Sequence, residues 1–287
     1  MFGSALFFLS TAMLALCLGP ASALATEPWE TFQPPPPLPA AAMEGRVTHD
    51  GAKIWFATFG AGPPVILLHG AGASADSFGF QVPALVASGH RVIVIDSRGQ
   101  GRSTNDGRLL GYELMETDVI AVMDALGVRK AAVVGWSDGA ILGLVMAMRH
   151  PNRETRVFAF SPNTDTNGLQ PDWATKPILA GVLPMAKSDY EQISPTPADF
   201  DKTMAAVETM IDGQPNYSAA DLARIRGPTI AIVDGDHEEL ILPDHTRYIA
   251  RTIPHARLII LKGVSHFAPL QDPDGFNKSM IAFLDAR

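Results

Sequence analysis

One serine, one histidine and a short run of carboxylates stand where they could carry out acyl transfer. Ser137 lies in Gly135-Trp136-Ser137-Asp138-Gly139, between a β-branched stretch at residues 131–134 and a long apolar run that stops at His150-Pro151. This is a G-x-S-x-G pattern in a strand–turn–helix setting, which lifts a serine hydroxyl clear of the sheet edge as a nucleophile. The glycines are required because so tight a turn leaves no room for neighbouring Cβ atoms. The helix N-terminus beneath favours developing negative charge. A serine hydroxyl is a weak nucleophile, so it needs a base, and the base needs a third group to orient it. Of the eight histidines, His266 is the best base, in the loop Gly263-Val264-Ser265-His266 after the last strand candidate. His150 is explained by the end of a helix, His49, His90 and His255 by solvated hairpin or turn positions, and His245 by a helix away from the strand ends. The acid is expected after the strand at 229–233, where Asp234-Gly235-Asp236-His237-Glu238-Glu239 offers several carboxylates. Residue types leave Asp236, Glu238 and Glu239 open. An oxyanion would need two backbone N–H groups near the nucleophile, and Asp138 and Ala71, the latter just after His69-Gly70, are the candidates.

Positioning these residues takes a sheet. Residues 46–59 read as a hairpin turning at Asp50-Gly51, a favoured two-residue turn. Residues 64–68, 91–95, 131–134, 157–160, 229–233 and 257–261 are short apolar runs of the kind buried on both faces. Helical spacing separates them, at residues 78–87, 113–126, 138–149, 243–252 and 272–284. Such alternation implies an α/β fold: a mostly parallel eight-stranded sheet with helices on both faces. Ligands bind beyond the carboxyl ends of such strands, where Ser137, Ala71 and His266 all fall. The alternation breaks over residues 163–225, with helical stretches expected at 173–182, 197–211 and 218–225. An insertion of that length at the strand ends reads as a small helical lid.

The chain of 287 residues is 47% hydrophobic and 18% charged, an ordinary balance for a cored domain. Its net charge is −8 and it has no basic cluster, which argues against nucleic-acid binding. Residues 1–25 carry no charge and end in small-x-small patterns at Ala21-Ser22-Ala23 and Ala23-Leu24-Ala25. They read as a secretory signal peptide, though without the usual basic start, and an N-terminal membrane anchor is the alternative. No stable membrane span is expected from an apolar run this short. Cys17, the single cysteine, lies inside this stretch, leaving no disulfide and no cysteine-based metal site beyond it. Residues 26–44, with Pro34-Pro35-Pro36-Pro37, read as an extended linker ahead of a domain at 45–287.

Taken together, His69-Gly70, Asp96-x-Arg98-Gly99-x-Gly101-x-Ser103, the Ser137 pentapeptide, Gly235-x-x-Glu238 and Gly263-x-x-His266 resemble the α/β-hydrolase fold family. The resemblance implies a Ser-His-acid triad with the acid three residues after Gly235, at Glu238. Asp236 is then the alternative, and Asp165 a third choice from relatives that carry the acid after the preceding strand. It also implies that relatives with aspartate at the elbow, the dehalogenases and epoxide hydrolases, are the wrong branch for a chain with serine there. The expected activity is hydrolysis of carboxylic esters or related acyl bonds of small to medium apolar substrates, in a serine-esterase or haloperoxidase-like branch. Carbon–carbon bond hydrolysis and cofactor-free perhydrolysis are the alternatives on this fold. A non-catalytic small-molecule binding module is the alternative from another class. No cofactor or metal is expected. The set Asp234, Asp236, His237 and Glu238 would be the only metal candidate, and one crowded loop rarely makes an open metal site.

Overall fold

The computed structural model of the chain describes residues 27–286. The expected leader therefore lies outside the described residues. Eight strands form one sheet: β1 (Met43–His49), β2 (Ala52–Phe59), β3 (Pro64–Leu68), β4 (Arg91–Ile95), β5 (Ala131–Trp136), β6 (Glu154–Phe160), β7 (Thr229–Gly235) and β8 (Arg257–Leu261). Their spatial order is β1-β2-β4-β3-β5-β6-β7-β8. The β1–β2 and β2–β4 pairs are antiparallel and every other pair is parallel. The hairpin turns at Asp50-Gly51 with φ of 44° and 83°, the positive values a tight two-residue turn demands.

Side-chain alternation along the strands divides the core into two layers. Val65, Leu67, Val92, Val94, Phe158 and Phe160 face α1 (Gln81–Ala87) and α9 (Pro273–Leu284). Ile66, Leu68, Ile93, Ile95 and Val133 face the opposite side, against α2 (Tyr112–Ala125) and α3 (Asp138–Arg149). Val157, Ala159, Ile230 and Ile232 continue that second layer toward α7 (Pro243–Thr252). Each such side chain, fully buried, contributes about 1.5–3 kcal/mol. Only the edge strands β1 and β8 are substantially exposed.

The Asp96–Ser103 run has a structural use. Asp96 accepts from Ala75 N and Arg102 N, each at 2.7 Å. Arg98, fully buried, meets Asp118 at 2.6 and 2.8 Å and donates to the carbonyls of His49 and Asp50. The same Asp118 takes His49 Nδ1 at 2.8 Å, and His90 lies buried against Asp285, so these two histidines are anchored rather than solvated.

Between β6 and β7 the chain forms α4 (Leu179–Ile193), α5 (Phe200–Gly213) and α6 (Ala219–Leu222). The first lid helix is displaced from its expected place at 173–182. Trp173–Thr175 is a short 3-10 turn, and α4 runs straight through Pro184. A proline lacks one helical N–H and usually ends a helix, but the neighbouring turns and the Tyr190–Phe200 contact with α5, at 5.6 Å between centroids, hold this one together. A second difference concerns the linker. β1 opens at Met43, inside the expected linker, and residues 27–42 lie against the domain, with Gln33 N donating to Leu270 O at 3.3 Å. The interleaved aromatics Trp29 and Phe32 give this proline-rich stretch apolar surface to bury. No helix of the described residues is long and apolar enough to cross a membrane.

Candidate active site

The strand β5 delivers Ser137 to the rim of the sheet, and α3 starts on the next residue. Ser137 has φ 55° and ψ −117°, a strained backbone for a residue with a Cβ. Close packing enforces it. A Cβ on Gly139 would stand 1.9 Å from Leu68 O, and one on Gly135 would stand 2.2 Å from Gly139 O. The Ser137 N–H donates to Phe160 O at 2.9 Å, and its carbonyl accepts from Ala140 and Ile141. The elbow is thereby tied to β3, β5 and β6 at once.

Two N–H groups beside this turn are free. Asp138 N is the first of α3, where no helical acceptor precedes it, and Ala71 N follows Gly70, whose own added Cβ would sit 3.2 Å from Ser137 Cβ. Among the described residues neither N–H has an acceptor. The Ala71 loop is fixed from both sides. Gly72 N donates to Gln100 at 2.7 Å, and His69 spans the loop between Gly70 O at 2.7 Å and Ser97 N at 3.0 Å. Since Ser97 N–H donates to Nε2, the His69 proton lies on Nδ1, and the ring is a neutral spacer with its pKa lowered by burial.

His266 Nδ1 lies 3.0 Å from both oxygens of Glu238, and both side chains are buried. The imidazole and Ser137 line the same cavity. The Ser137 hydroxyl makes no hydrogen bond to the ring among the described residues, a separation that such pairs often close only on binding substrate. The three carboxylates that residue types left open each hold a different part of the base loop. Glu238 takes the imidazole. Glu239 accepts from Ser265 Oγ at 3.0 Å and His266 N at 3.1 Å, and Asp236 accepts from Gly263 N at 2.8 Å. Asp236 thus points toward the β8 turn and away from the ring. Asp165 caps its own turn through Asn167 N at 2.9 Å and lies 3.8 Å from His245. His237 stacks on Trp29, Asp236 holds Gly263 N, and Asp234 and Glu238 meet at Ser161 Oγ.

Sequence reasoning gave no supporting part to four residues, although Trp136 and Asp234 stand in the motifs it used. Trp136 donates its indole N–H to His266 O at 2.8 Å, binding the base loop to the elbow. Tyr112 donates to Asp138 Oδ1 at 2.8 Å at the cavity wall. Behind Glu238, Ser161 Oγ is 2.9 Å from Glu238 Oε2 and 2.9 Å from Asp234 Oδ1. One hydroxyl has one proton, so the second contact requires a proton on a carboxyl. Burial pushes both carboxyls up, Asp234 well above the usual carboxylate range and Glu238 to about 7, and Asp234 also accepts from Gly235 N and Thr246 Oγ1. Leu240 N and Ile241 N add two further hydrogen bonds to Glu238 Oε1, at 2.7 and 3.0 Å. Burial lowers the His266 pKa, opposed by the carboxylates of Glu239, Asp234 and Asp138, and this keeps the ring a neutral base. Nothing in the sequence pattern marks Ser161 beyond its place at a strand end, and Asp234 stands out only as one carboxylate of the 234–239 run.

The cavity holds about 180 Å³ and is mostly apolar, with Trp136, Trp173, Leu179, Met185, Ile241 and Phe267 among its walls. The arrangement offers a hydroxyl on a strained elbow, an imidazole oriented by a buried carboxylate, and two unengaged N–H groups. The chain belongs to the alpha/beta hydrolase family, whose model matches residues 65–279. Among curated proteins it is similar to Epoxide hydrolase B of Mycobacterium tuberculosis, 41% identical over 102 residues. That match spans 35% of this chain and only 29% of the relative. It is similar at greater length to Rhodomycin D methylesterase DauP of Streptomyces sp. strain C5, 29% identical over 276 residues, covering 78% of this chain and 92% of the relative. Among solved structures it resembles Est816, an N-acyl homoserine lactone degrading enzyme, with TM-score 0.68 and 25% identity over 83% of this chain and all of that one.

Proposed function

We propose that the protein is a serine hydrolase that cleaves carboxylic esters and related acyl bonds of small to medium apolar substrates. Ser137 is the nucleophile, His266 the general base and Glu238 the residue that orients it. The observation that carries this reading is the buried Glu238–His266 pair at the wall of the cavity that Ser137 also lines. In the first half-reaction His266 Nε2 takes the hydroxyl proton as Ser137 Oγ attacks the substrate carbonyl. The N–H groups of Ala71 and Asp138 receive the oxyanion. His266 then returns the proton to the leaving alcohol, and an acyl group remains on Ser137. In the second half-reaction His266 takes a proton from water, which attacks the acyl-enzyme, and gives that proton to Ser137 Oγ as the acid leaves. Glu238 holds the Nδ1–H tautomer and stabilises the imidazolium.

The similarity to a methylesterase and to a lactone-degrading enzyme supports acyl oxygen bonds as the target. The epoxide hydrolase likeness covers about a third of the chain, and serine rather than aspartate at residue 137 favours the ester reading. Export is part of the proposal and rests on residues 1–25 alone; N-terminal sequencing of exported protein should begin beyond them. A series of p-nitrophenyl esters, run beside lactone and amide substrates on wild type and Ser137→Ala, tests the function. Ester or lactone turnover that vanishes in Ser137→Ala is expected. Turnover that survives the substitution refutes the serine mechanism.

A further inference from the structure

The stretch ahead of β1 is fastened to the protein at five points. The Trp29 ring stacks on His237, beside Glu238, at 3.6 Å and 3° between planes. Gln271 donates its side-chain amide to Trp29 O at 2.8 Å. The Phe32 ring lies 5.9 Å from Phe267, the residue after His266, and a Cβ on Gly181 of the lid helix α4 would come 3.4 Å from it. Gln33 N donates to Leu270 O. Finally Pro36 O is seated directly on Gly79, where an added Cβ would stand 1.8 Å from the oxygen. Between these last two anchors Pro35 reaches the cavity and forms part of its wall, with Leu179, Val182, Phe267 and Leu270.

Four successive prolines make this wall stiff. Their φ angles are fixed and their extended form has little conformational entropy left to lose. They also carry no N–H, so this side of the cavity offers a substrate apolar contact and no donor. The segment lies between the base loop and the lid, and Pro35 completes a wall to which Phe267 and Leu270 contribute from one side and Leu179 and Val182 from the other.

We propose that residues 29–36 are a specificity strap. Pro35 sets the length and bulk of the apolar substrate group the cavity accepts, and Phe32 and the Pro36–Gly79 seat hold Pro35 in place. This inference rests on the ester-hydrolase reading of the Ser137 site. Methylene-by-methylene discrimination in an apolar pocket is worth about 10-fold or more, which is the range the strap commands.

Two substitutions on opposite sides of the contact test it in the full-length chain. Phe32→Ala removes the ring that ties the strap to Phe267 and α4. Gly79→Ala acts from the domain side: Gly79 has an ordinary φ of −55°, and the atoms nearest an added Cβ all belong to Pro36. For each protein kcat/KM is measured on p-nitrophenyl esters from acetate to decanoate. In both variants the octanoate-to-acetate ratio should move by about 10-fold, carried mainly by KM. An unchanged ratio in both overturns the proposal, and if Gly79→Ala does not fold, Phe32→Ala decides alone. If the wild type hydrolyses no ester, the hydrolase reading is what fails. Calorimetric binding of decanoate to the same proteins then judges the strap, and equal affinity in wild type and Phe32→Ala refutes it.

Discussion

Replacing Glu238 by glutamine removes a charge, and the surrounding hydrogen bonds dictate how the new amide must sit. Glu238 Oε1 accepts from Leu240 N and Ile241 N, so the amide carbonyl must stay there or leave two buried N–H groups unpaired. The –NH2 is then forced to the Oε2 side, facing Ser161 Oγ and His266 Nδ1. Nδ1 lies 3.0 Å from both positions, so this donor competes with the carbonyl kept at Oε1, frees the imidazole from the Nδ1–H tautomer and shifts it toward the one with the proton on Nε2. That nitrogen can then take no proton from Ser137. The loss expected for a wrong-tautomer base is about 10⁴ in kcat, or about 5 kcal/mol of transition-state stabilisation. Steady-state hydrolysis of a p-nitrophenyl ester measures it, with circular dichroism to confirm an intact fold. Asp236→Asn is the control: Asp236 holds Gly263 N and not the ring, so its kcat should stay within about 10-fold of wild type. Glu238→Gln retaining a tenth of wild-type kcat, or Asp236→Asn falling as far as Glu238→Gln, would refute the tautomer argument.

Three further expectations are checked separately. The rate should fall on the acid side: Glu238 titrates at about 7 and His266 below its ordinary value, and both must be deprotonated for catalysis, so kcat/KM should rise with pH to a plateau above about 7. A profile flat down to pH 5 contradicts that assignment. Gly139→Ala drives a Cβ to 1.9 Å from Leu68 O, and overpacking of this kind costs about 3 kcal/mol; thermal melts should show Tm lowered by roughly 6–12 °C, and an unshifted Tm would mean that the elbow yields without strain. Glu154 is buried with both oxygens unpartnered among the described residues, and burial plus nearby Glu116 raise its pKa well above 4.5. Its folded form binds a proton that the unfolded chain releases, so this contribution is present at low pH and lost as pH rises above the unfolded value. Glu154→Gln should therefore raise Tm at pH 8 by the equivalent of about 2 kcal/mol and change it little at pH 5; parallel Tm curves for the two proteins would refute it.

The framework of the fold is legible because its strands are short, β-branched and bounded by turn residues. The Asp50-Gly51 hairpin and the runs at 64–68, 91–95 and 257–261 coincide with observed strands. β6 begins at Glu154, three residues before the apolar run, because a buried glutamate is not something a hydrophobic pattern reveals. The lid helix α4 runs over Leu179–Ile193 rather than 173–182, with Pro184 inside it. The proline-rich stretch reads as a spacer from composition, yet Trp29 docks it on the Glu238 loop and Phe32 on the base loop. Ser137 and His266 carry local signatures, a glycine-flanked elbow and a strand-end loop. The distinction among Asp236, Glu238 and Glu239 is different in kind. It depends on the direction in which consecutive side chains leave one loop, and only three-dimensional register decides that. The Ser161 bridge between Asp234 and Glu238 leaves no spacing signal for the same reason.

The central claim is that Ser137 forms a covalent acyl intermediate. Intact-protein and peptide mass spectrometry after exposure to a fluorophosphonate measures this most directly. One adduct per chain is expected, on the peptide containing Ser137, formed quickly in wild type and absent in Ser137→Ala. A folded wild type that stays unlabelled, or an adduct that persists in Ser137→Ala, would contradict it.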